Sequence, residues 1–230
     1  MENAKPRRRV LGTVTIGEAP RPDLVPILDR HIPADVRQIH RGVLDGLAPR
    51  DIAARYGPAP GEPVLATQLK DGRTVVLSRA RAEPAVQQQI DALEAEGASV
   101  ILLLCTGTFA DLRCRAAWLI EPDRIIPPLA TGLLGSRRLG IIVPLAAQIR
   151  SESGKWRALA RPPLYASASP YDGDLAAVTG AARRLAAEGA AALLLDCIGF
   201  AEPHKEAAAE SGLPVLLSNA IVAKAVGELF

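Results

Sequence analysis

Ala95-Glu96-Gly97-Ala98-Ser99-Val100-Ile101-Leu102-Leu103-Leu104-Cys105-Thr106-Gly107 recurs later in the chain as Ala187-Glu188-Gly189-Ala190-Ala191-Ala192-Leu193-Leu194-Leu195-Asp196-Cys197-Ile198-Gly199. Glycine and cysteine are eight residues apart in both copies, and a second glycine follows two residues after each cysteine. Each copy reads as a helix end, a glycine stop, a buried strand and a thiol at the strand's carboxyl edge. Working outward, Arg138-Leu139-Gly140-Ile141-Ile142-Val143-Pro144 parallels Val10-Leu11-Gly12-Thr13-Val14-Thr15-Ile16. The chain therefore reads as a duplicated strand–helix array. Alternating strands and helices predict two parallel sheets covered on both faces, an α/β architecture.

The remaining elements follow from local pattern. Strands are expected at 9–16, 36–41, 65–70, 74–78, 100–104, 138–144, 164–168, 192–196 and 215–217. Helices are expected at 24–31, 51–56, 84–96, 111–118, 145–159, 175–188, 203–211 and 220–229. Asp71-Gly72 signals a two-residue hairpin turn, and Pro84 suits the first turn of its helix. Ile125-Ile126-Pro127-Pro128 reads as a proline-rich connection.

Bulk properties exclude several classes of function. Hydrophobic residues make up 49% and charged residues 23% of 230 residues, an ordinary globular balance. A net charge of +2 and 3% aromatics leave neither a basic stripe nor a stacking platform for nucleic acid. Arg7-Arg8-Arg9 reads as a solvated chain start. No apolar run approaches the ~20 residues that span a bilayer, and no secretory leader is expected. Three cysteines without framework spacing suit free thiols in a reducing cytoplasm. His31, His40 and His204 lack metal-ligand spacing, and neither a phosphate loop, a dinucleotide fingerprint nor a G-x-S-x-G elbow is present. No cofactor is expected.

Ligands of open α/β sheets bind beyond the strands' carboxyl ends, which is where Cys105 and Cys197 fall. Thr106-Gly107-Thr108 and Ile198-Gly199 follow them, and free amides at a helix start would attract a thiolate or a substrate carboxylate. With an ordinary thiol pKa of about 8.5, modest stabilisation would give a base near neutrality. The competing reading is a packing cysteine kept twice by duplication. Cys114, in the helix expected at 111–118, has no counterpart and reads as structural. Asp196 points to the other side of its strand; it reads first as a cap of the following helix, with influence on the thiol as the alternative. Arg21 and Arg79 are candidate carboxylate anchors. Thr15 and Ser218, at other strand ends, face either the crevice or the backbone.

These residues resemble the AroM family, within the aspartate/glutamate racemase superfamily. The similarity is carried by Thr15-Ile16-Gly17-Glu18-Ala19-Pro20-Arg21-Pro22-Asp23, Ser78-Arg79, Glu121-Pro122, Pro127-Pro128-Leu129, Lys155-Trp156, Leu195 to Phe200 and Leu217-Ser218-Asn219. The resemblance implies two similar Rossmann- or flavodoxin-like parallel-sheet domains related by pseudo-twofold symmetry. Residues 1–127 with 215–230 would form the first and 128–214 the second. It implies a small carboxylate or carbonyl substrate, cofactor-independent racemase or isomerase chemistry and a homodimer. Cys105 and Cys197 match the paired acid/base positions, and Thr106, Gly107, Thr108, Ile198 and Gly199 match the loops that hold substrate carboxylate. One-cysteine decarboxylases of the superfamily imply an alternative centred on Cys197, and a non-catalytic small-acid binder is a third reading. Amino-acid racemases carry Asn-Thr and Thr-His after their cysteines. Thr106-Gly107 and Ile198-Gly199 stand there instead, so the substrate need not be aspartate or glutamate.

Overall fold

A computed structural model describes residues 9–230; Arg7 and Arg8 lie outside the described residues. The first sheet has the order β2 (Arg37–Gly42), β1 (Val10–Thr15), β5 (Val100–Leu104), β6 (Trp118–Ile120), all parallel. The second has the order β8 (Leu164–Ser167), β7 (Leu139–Val143), β9 (Ala192–Leu195), β10 (Val215–Leu217), again all parallel. The two orders are the same topology written twice, so the duplication read from the cysteine phrases extends to whole sheets.

Period-two alternation sorts the strands into three cores. Val100, Leu102 and Leu104 of β5 and Ala192 and Leu194 of β9 face one shared cluster between the sheets. Helices α1 (Val25–His31), α4 (Pro122–Leu134) and α8 (Ser218–Gly227) fill that space with Leu28, Ile126, Ala130, Leu134, Val222 and Val226. Ile101, Leu103 and Cys105 face the outer side of the first sheet, under α3 (Arg79–Ala95). Leu193, Leu195 and Cys197 face the outer side of the second, under α6 (Leu175–Ala187) and α7 (Glu202–Ala209). Val215–Leu217 is hydrogen-bonded to β9, whereas α8 packs on α1 and α4.

The repeated phrase folds as its glycines dictate. Gly97 and Gly189 adopt φ of +89° and +92°, conformations that favour residues without a Cβ. Ala98 N donates to Leu93 O at 3.0 Å and Gly97 N to Glu94 O at 2.9 Å, the paired bonds of a Schellman stop. Ala190 N to Leu185 O and Gly189 N to Ala186 O, both 3.0 Å, repeat it. Gly12 and Gly140 admit these corners closely: a Cβ would lie 3.2 Å from Ala98 Cβ at the first and 3.1 Å from Ala190 Cβ at the second.

Several local expectations are corrected. Residues 111–117 form no helix, and Cys114 sits in a loop leading to β6. Side chains of α3 take that loop's amides: Glu83 accepts from Ala110 and Asp111, Gln87 from Arg113, and Glu94 from Arg115, Ala116 and Ala117. A carboxylate thus replaces the i→i−4 partners a helix would supply. Helix α3 begins at Arg79, with Pro84 inside it, because the buried stripe Ala82-Val86-Ile90-Leu93 starts before the proline. The prolines at 127 and 128 are likewise carried inside α4 by the stripe Ile126-Ala130-Leu134. Helix α5 (Ala146–Glu152) stops early and tightens into a 3-10 turn at Ser153–Trp156. The hairpin of β3 (Val64–Gln68) and β4 (Thr74–Ser78) closes through three residues, with Leu69 N on Arg73 O and Gly72 at φ +86°. That hairpin and α2 (Pro49–Tyr56) form an insertion between β2 and α3, whereas β8 runs on to α6 without one.

Glu94→Ala should release the loop before β6. Trypsin is then expected to cut after Arg113 and Arg115 several times faster than in the parent protein. An unchanged rate would show that the loop holds itself.

Candidate active site

Cys105 follows β5 directly, and Cys197 lies two residues beyond β9. Neither is followed at once by a helix, so the expected helix-start amides are replaced by one local donor each. Gly107 N donates to Cys105 Sγ at 3.4 Å, and Gly199 N to Cys197 Sγ at 3.4 Å. The two turns are the same device. A side chain would crowd both turns: a Cβ at 107 would lie 2.6 Å from Leu65 Cδ2, and one at 199 would lie 2.6 Å from Tyr171 Cζ.

Both cysteines line one cavity of about 20 Å³, room for about one water molecule. Ile16, Leu65, Ala66, Leu104 and Ile198 supply apolar walls, and Arg21, Thr106, Gln148, Tyr171 and Asp196 supply polar groups. The inserted hairpin closes the cavity. Gln148 Nε2 donates to Val64 O at 3.4 Å and Gln68 Nε2 to Tyr171 O at 3.3 Å, tying the hairpin to the second half.

The two thiols differ in their neighbours. Tyr171 Oη is 3.6 Å from Cys197 Sγ, and the Arg21 guanidinium lies over the Tyr171 ring at 5.9 Å. Burial pushes the Cys197 thiol up, opposed by the Gly199 amide, the Tyr171 hydroxyl and the Arg21 charge. Burial pushes Cys105 up to about 12, opposed by the Gly107 amide and the Lys155 charge. Burial also raises the Tyr171 phenol, and Cys197 adds to the rise. In the closed cavity burial therefore favours the thiol form of both sulfurs. Desolvation outweighs a single amide.

A buried ion cluster joins the two cysteine turns. Lys155 Nζ lies 2.7 Å from Asp196 Oδ2 and 3.6 Å from Glu152 Oε2, and donates to Thr106 O at 2.9 Å. Thr106 Oγ1 donates to Asp196 O at 3.3 Å. Asp196 is thus the partner of Lys155 rather than a helix cap. Burial pulls the Lys155 amine down, but Asp196 and Glu152 outweigh it and leave the amine above its ordinary value.

The other candidate residues separate into two groups. Arg21, Thr106, Gly107 and Ile198 line the cavity with the thiols, Arg21 being also held by Asp23 through Nε at 2.8 Å. Gly199 serves through its amide. Thr15 accepts from Gly17 N at 3.1 Å, and Ser218 donates to Leu195 O at 2.7 Å, so both hydroxyls serve the backbone. Thr108 faces Asp123, and Arg79 pairs with Glu152 at 3.4 Å. Sequence reasoning missed Tyr171, Gln148 and Lys155 as site groups. Only Lys155-Trp156, among the residues carrying the family resemblance, pointed toward one of them. Among the described residues no group of three or more His, Cys, Asp or Glu could hold a metal ion, and no helix is long and apolar enough to cross a membrane.

Two topologically identical parallel-sheet halves with a thiol turn from each in one cavity define a class of duplicated α/β proteins. Within it, the chain belongs to the AroM protein family, whose pattern matches residues 11–230. Its fold is similar to that of unliganded arylmalonate decarboxylase, at 15% identity and TM-score 0.58, covering 96% of this chain and 91% of that one. Allantoin racemase from Pseudomonas fluorescens is similar at 12% identity and TM-score 0.60, with coverage of 96% and 89%. Aspartate racemase from Picrophilus torridus is similar at 14% identity and TM-score 0.56, with coverage of 96% and 94%. No curated protein matches the chain by sequence.

The raised Cys105 pKa fixes the sign of an alkaline effect. Between the unfolded thiol's range near 9 and the folded value of about 12, only the unfolded chain loses this proton. Stability from this group is therefore fully present below about pH 9 and is lost as pH rises toward 12, at about 1.4 kcal/mol per pH unit. Cys105→Ala should flatten urea-unfolding free energies measured from pH 8 to 11. The same slope in both proteins would refute a protonated Cys105.

Proposed function

We propose that this protein is a cofactor-independent racemase or isomerase acting at the carbon α to a carboxylate or carbonyl, with Cys105 and Cys197 as its acid–base pair. The observation that carries the reading is the equivalence of the two thiol turns at one cavity. One sulfur, as thiolate, takes the α-proton. The C–H electron pair moves onto the carbonyl as an enolate, and the opposite thiol returns a proton to the other face. The sulfurs thereby exchange protonation states, and the substrate's hand decides which begins. Arg21 and the turn amides would stabilise the enolate charge. Because the cavity holds about one water, binding requires the inserted hairpin to move outward first. A reducing cytoplasm is part of the same proposal, and the free thiols at positions 105, 114 and 197 support it.

A second reading is a single-thiol decarboxylase or isomerase centred on Cys197, favoured by the Tyr171 hydroxyl beside that sulfur. The relevant experiment offers enantiopure 2-substituted carboxylates, their amides and 2-substituted malonates to the protein in heavy water. The paired reading expects deuterium at the α-carbon and loss of optical rotation, both abolished in Cys105→Ser. Exchange or carbon dioxide release that survives Cys105→Ser assigns the chemistry to Cys197 alone. No reaction across the panel, with Cys197 alkylated no faster than Cys114, would make this a small-acid binding protein.

A further inference from the structure

We infer that Lys155 and Asp196 form a positioning pair that holds the two cysteine turns together and evens the two sulfurs, so that either can act as the base. The inference rests on the paired-thiol reading above. A racemase works on both hands of its substrate, so each sulfur must be able to start as the thiolate. The immediate neighbours of the thiols break that balance, because Tyr171 and Arg21 both serve Cys197. The ion pair works the other way.

The geometry is specific. Lys155 lies in the 3-10 turn after α5, with its side chain 7% exposed. Its Nζ reaches the Thr106 carbonyl, one residue after Cys105, and the Asp196 carboxylate, one residue before Cys197. The Thr106 hydroxyl closes the same bridge onto the Asp196 carbonyl. A cation thus sits against the turn of the thiol that ionises less readily, and an anion precedes the one that ionises more readily. The Lys155 charge favours the Cys105 thiolate against a larger opposing effect of Glu152, whereas the Asp196 charge disfavours the Cys197 thiolate. The other groups facing the amine are Glu152 on α5, Asp123 on α4 and the Trp156 ring at 5.5 Å. Arg79 on α3 holds Glu152 from its far side, and the Tyr165 phenol of β8 feels both Asp196 and Glu152. Two carboxylates on one ammonium keep Lys155 charged in the absence of solvent.

The test compares iodoacetamide alkylation of Cys105 and Cys197 within one molecule, by peptide mass spectrometry at pH 8 to 10, in a Cys114→Ser background. Removing both charges, in Lys155→Met with Asp196→Asn, should lower the Cys105-to-Cys197 rate ratio about tenfold or more, the equivalent of one pKa unit between them. Loosening of the cleft would expose both sulfurs and leave the ratio unchanged, and an unchanged or raised ratio overturns the proposal. Lys155→Arg, which keeps the charge, should hold the ratio within about twofold of the parent. Should the double variant not fold, Lys155→Gln supplies the decision: Cys105 must slow more than Cys197, and equal slowing refutes the pair. The readout needs no substrate, so a fallen ratio without α-carbon exchange would reject the paired chemistry and leave the ion-pair assignment standing.

Discussion

Cys197→Ser is expected to lower α-carbon proton exchange by about 10³-fold, within the 10²–10⁴ that a positioned acid or base contributes. A serine hydroxyl is a far weaker acid than a thiol, so neither the Gly199 amide nor Arg21 can bring it to an alkoxide near neutrality. The protein should fold normally, because oxygen replaces sulfur in a turn whose path is set elsewhere. Asn219 Nδ2 donates to Ile198 O at 3.0 Å and also to Phe200 O, holding that turn from the terminal helix. Binding of an unreactive carboxylate should therefore survive while exchange is lost. Tyr171→Phe removes only the hydroxyl 3.6 Å from the sulfur and should cost about tenfold, the scale of one hydrogen bond to an ionised group. Wild-type exchange in Cys197→Ser would show that Cys197 is neither the acid nor the base.

Lys155→Met carries the largest expected effect on stability, about 3–5 kcal/mol by urea unfolding. Lys155 is the cation on the buried Asp196 carboxylate and also lies 3.6 Å from Glu152. Removing it strands charge in a site where both carboxylates are 4% exposed or less. Asp196→Asn in the same chain should recover part of the loss, since an amide tolerates burial better than an unpaired anion. Additive losses in the double variant would mean that the two groups do not interact. The bridge also spans the halves, so the unfolding transition of Lys155→Met should broaden if its loss uncouples them.

The fold was legible because its signals are local. Alternation in 100–104 and 192–195 sorts side chains between two faces, and Gly97 and Gly189 end helices through bonds within six residues. The two thiols at one cavity followed from that placement. What escaped was set at long range. Residues 111–117 carry helical periodicity, yet their amides answer to Glu83, Gln87 and Glu94 on another element. Lys155 looks like any charged helix residue until the chain brings Thr106 and Asp196 to its amine. Tyr171 reads as a turn residue, and only the fold lays its ring against Gly199. Burial is equally non-local: an amide beside each sulfur suggested accessible thiolates, and the closed walls reverse the sign.

The central claim is that two sulfurs act from opposite faces of one carbon, and early isotope distribution in heavy water tests it most directly. One enantiomer of a turned-over carboxylate is supplied, and the reaction is stopped within the first few per cent of conversion. A proton taken by one sulfur is not the one delivered by the other. Deuterium is therefore expected in the product enantiomer, while recovered starting material stays unlabelled. Equal labelling of both enantiomers at that stage would mean that one group serves both faces, and would contradict the account.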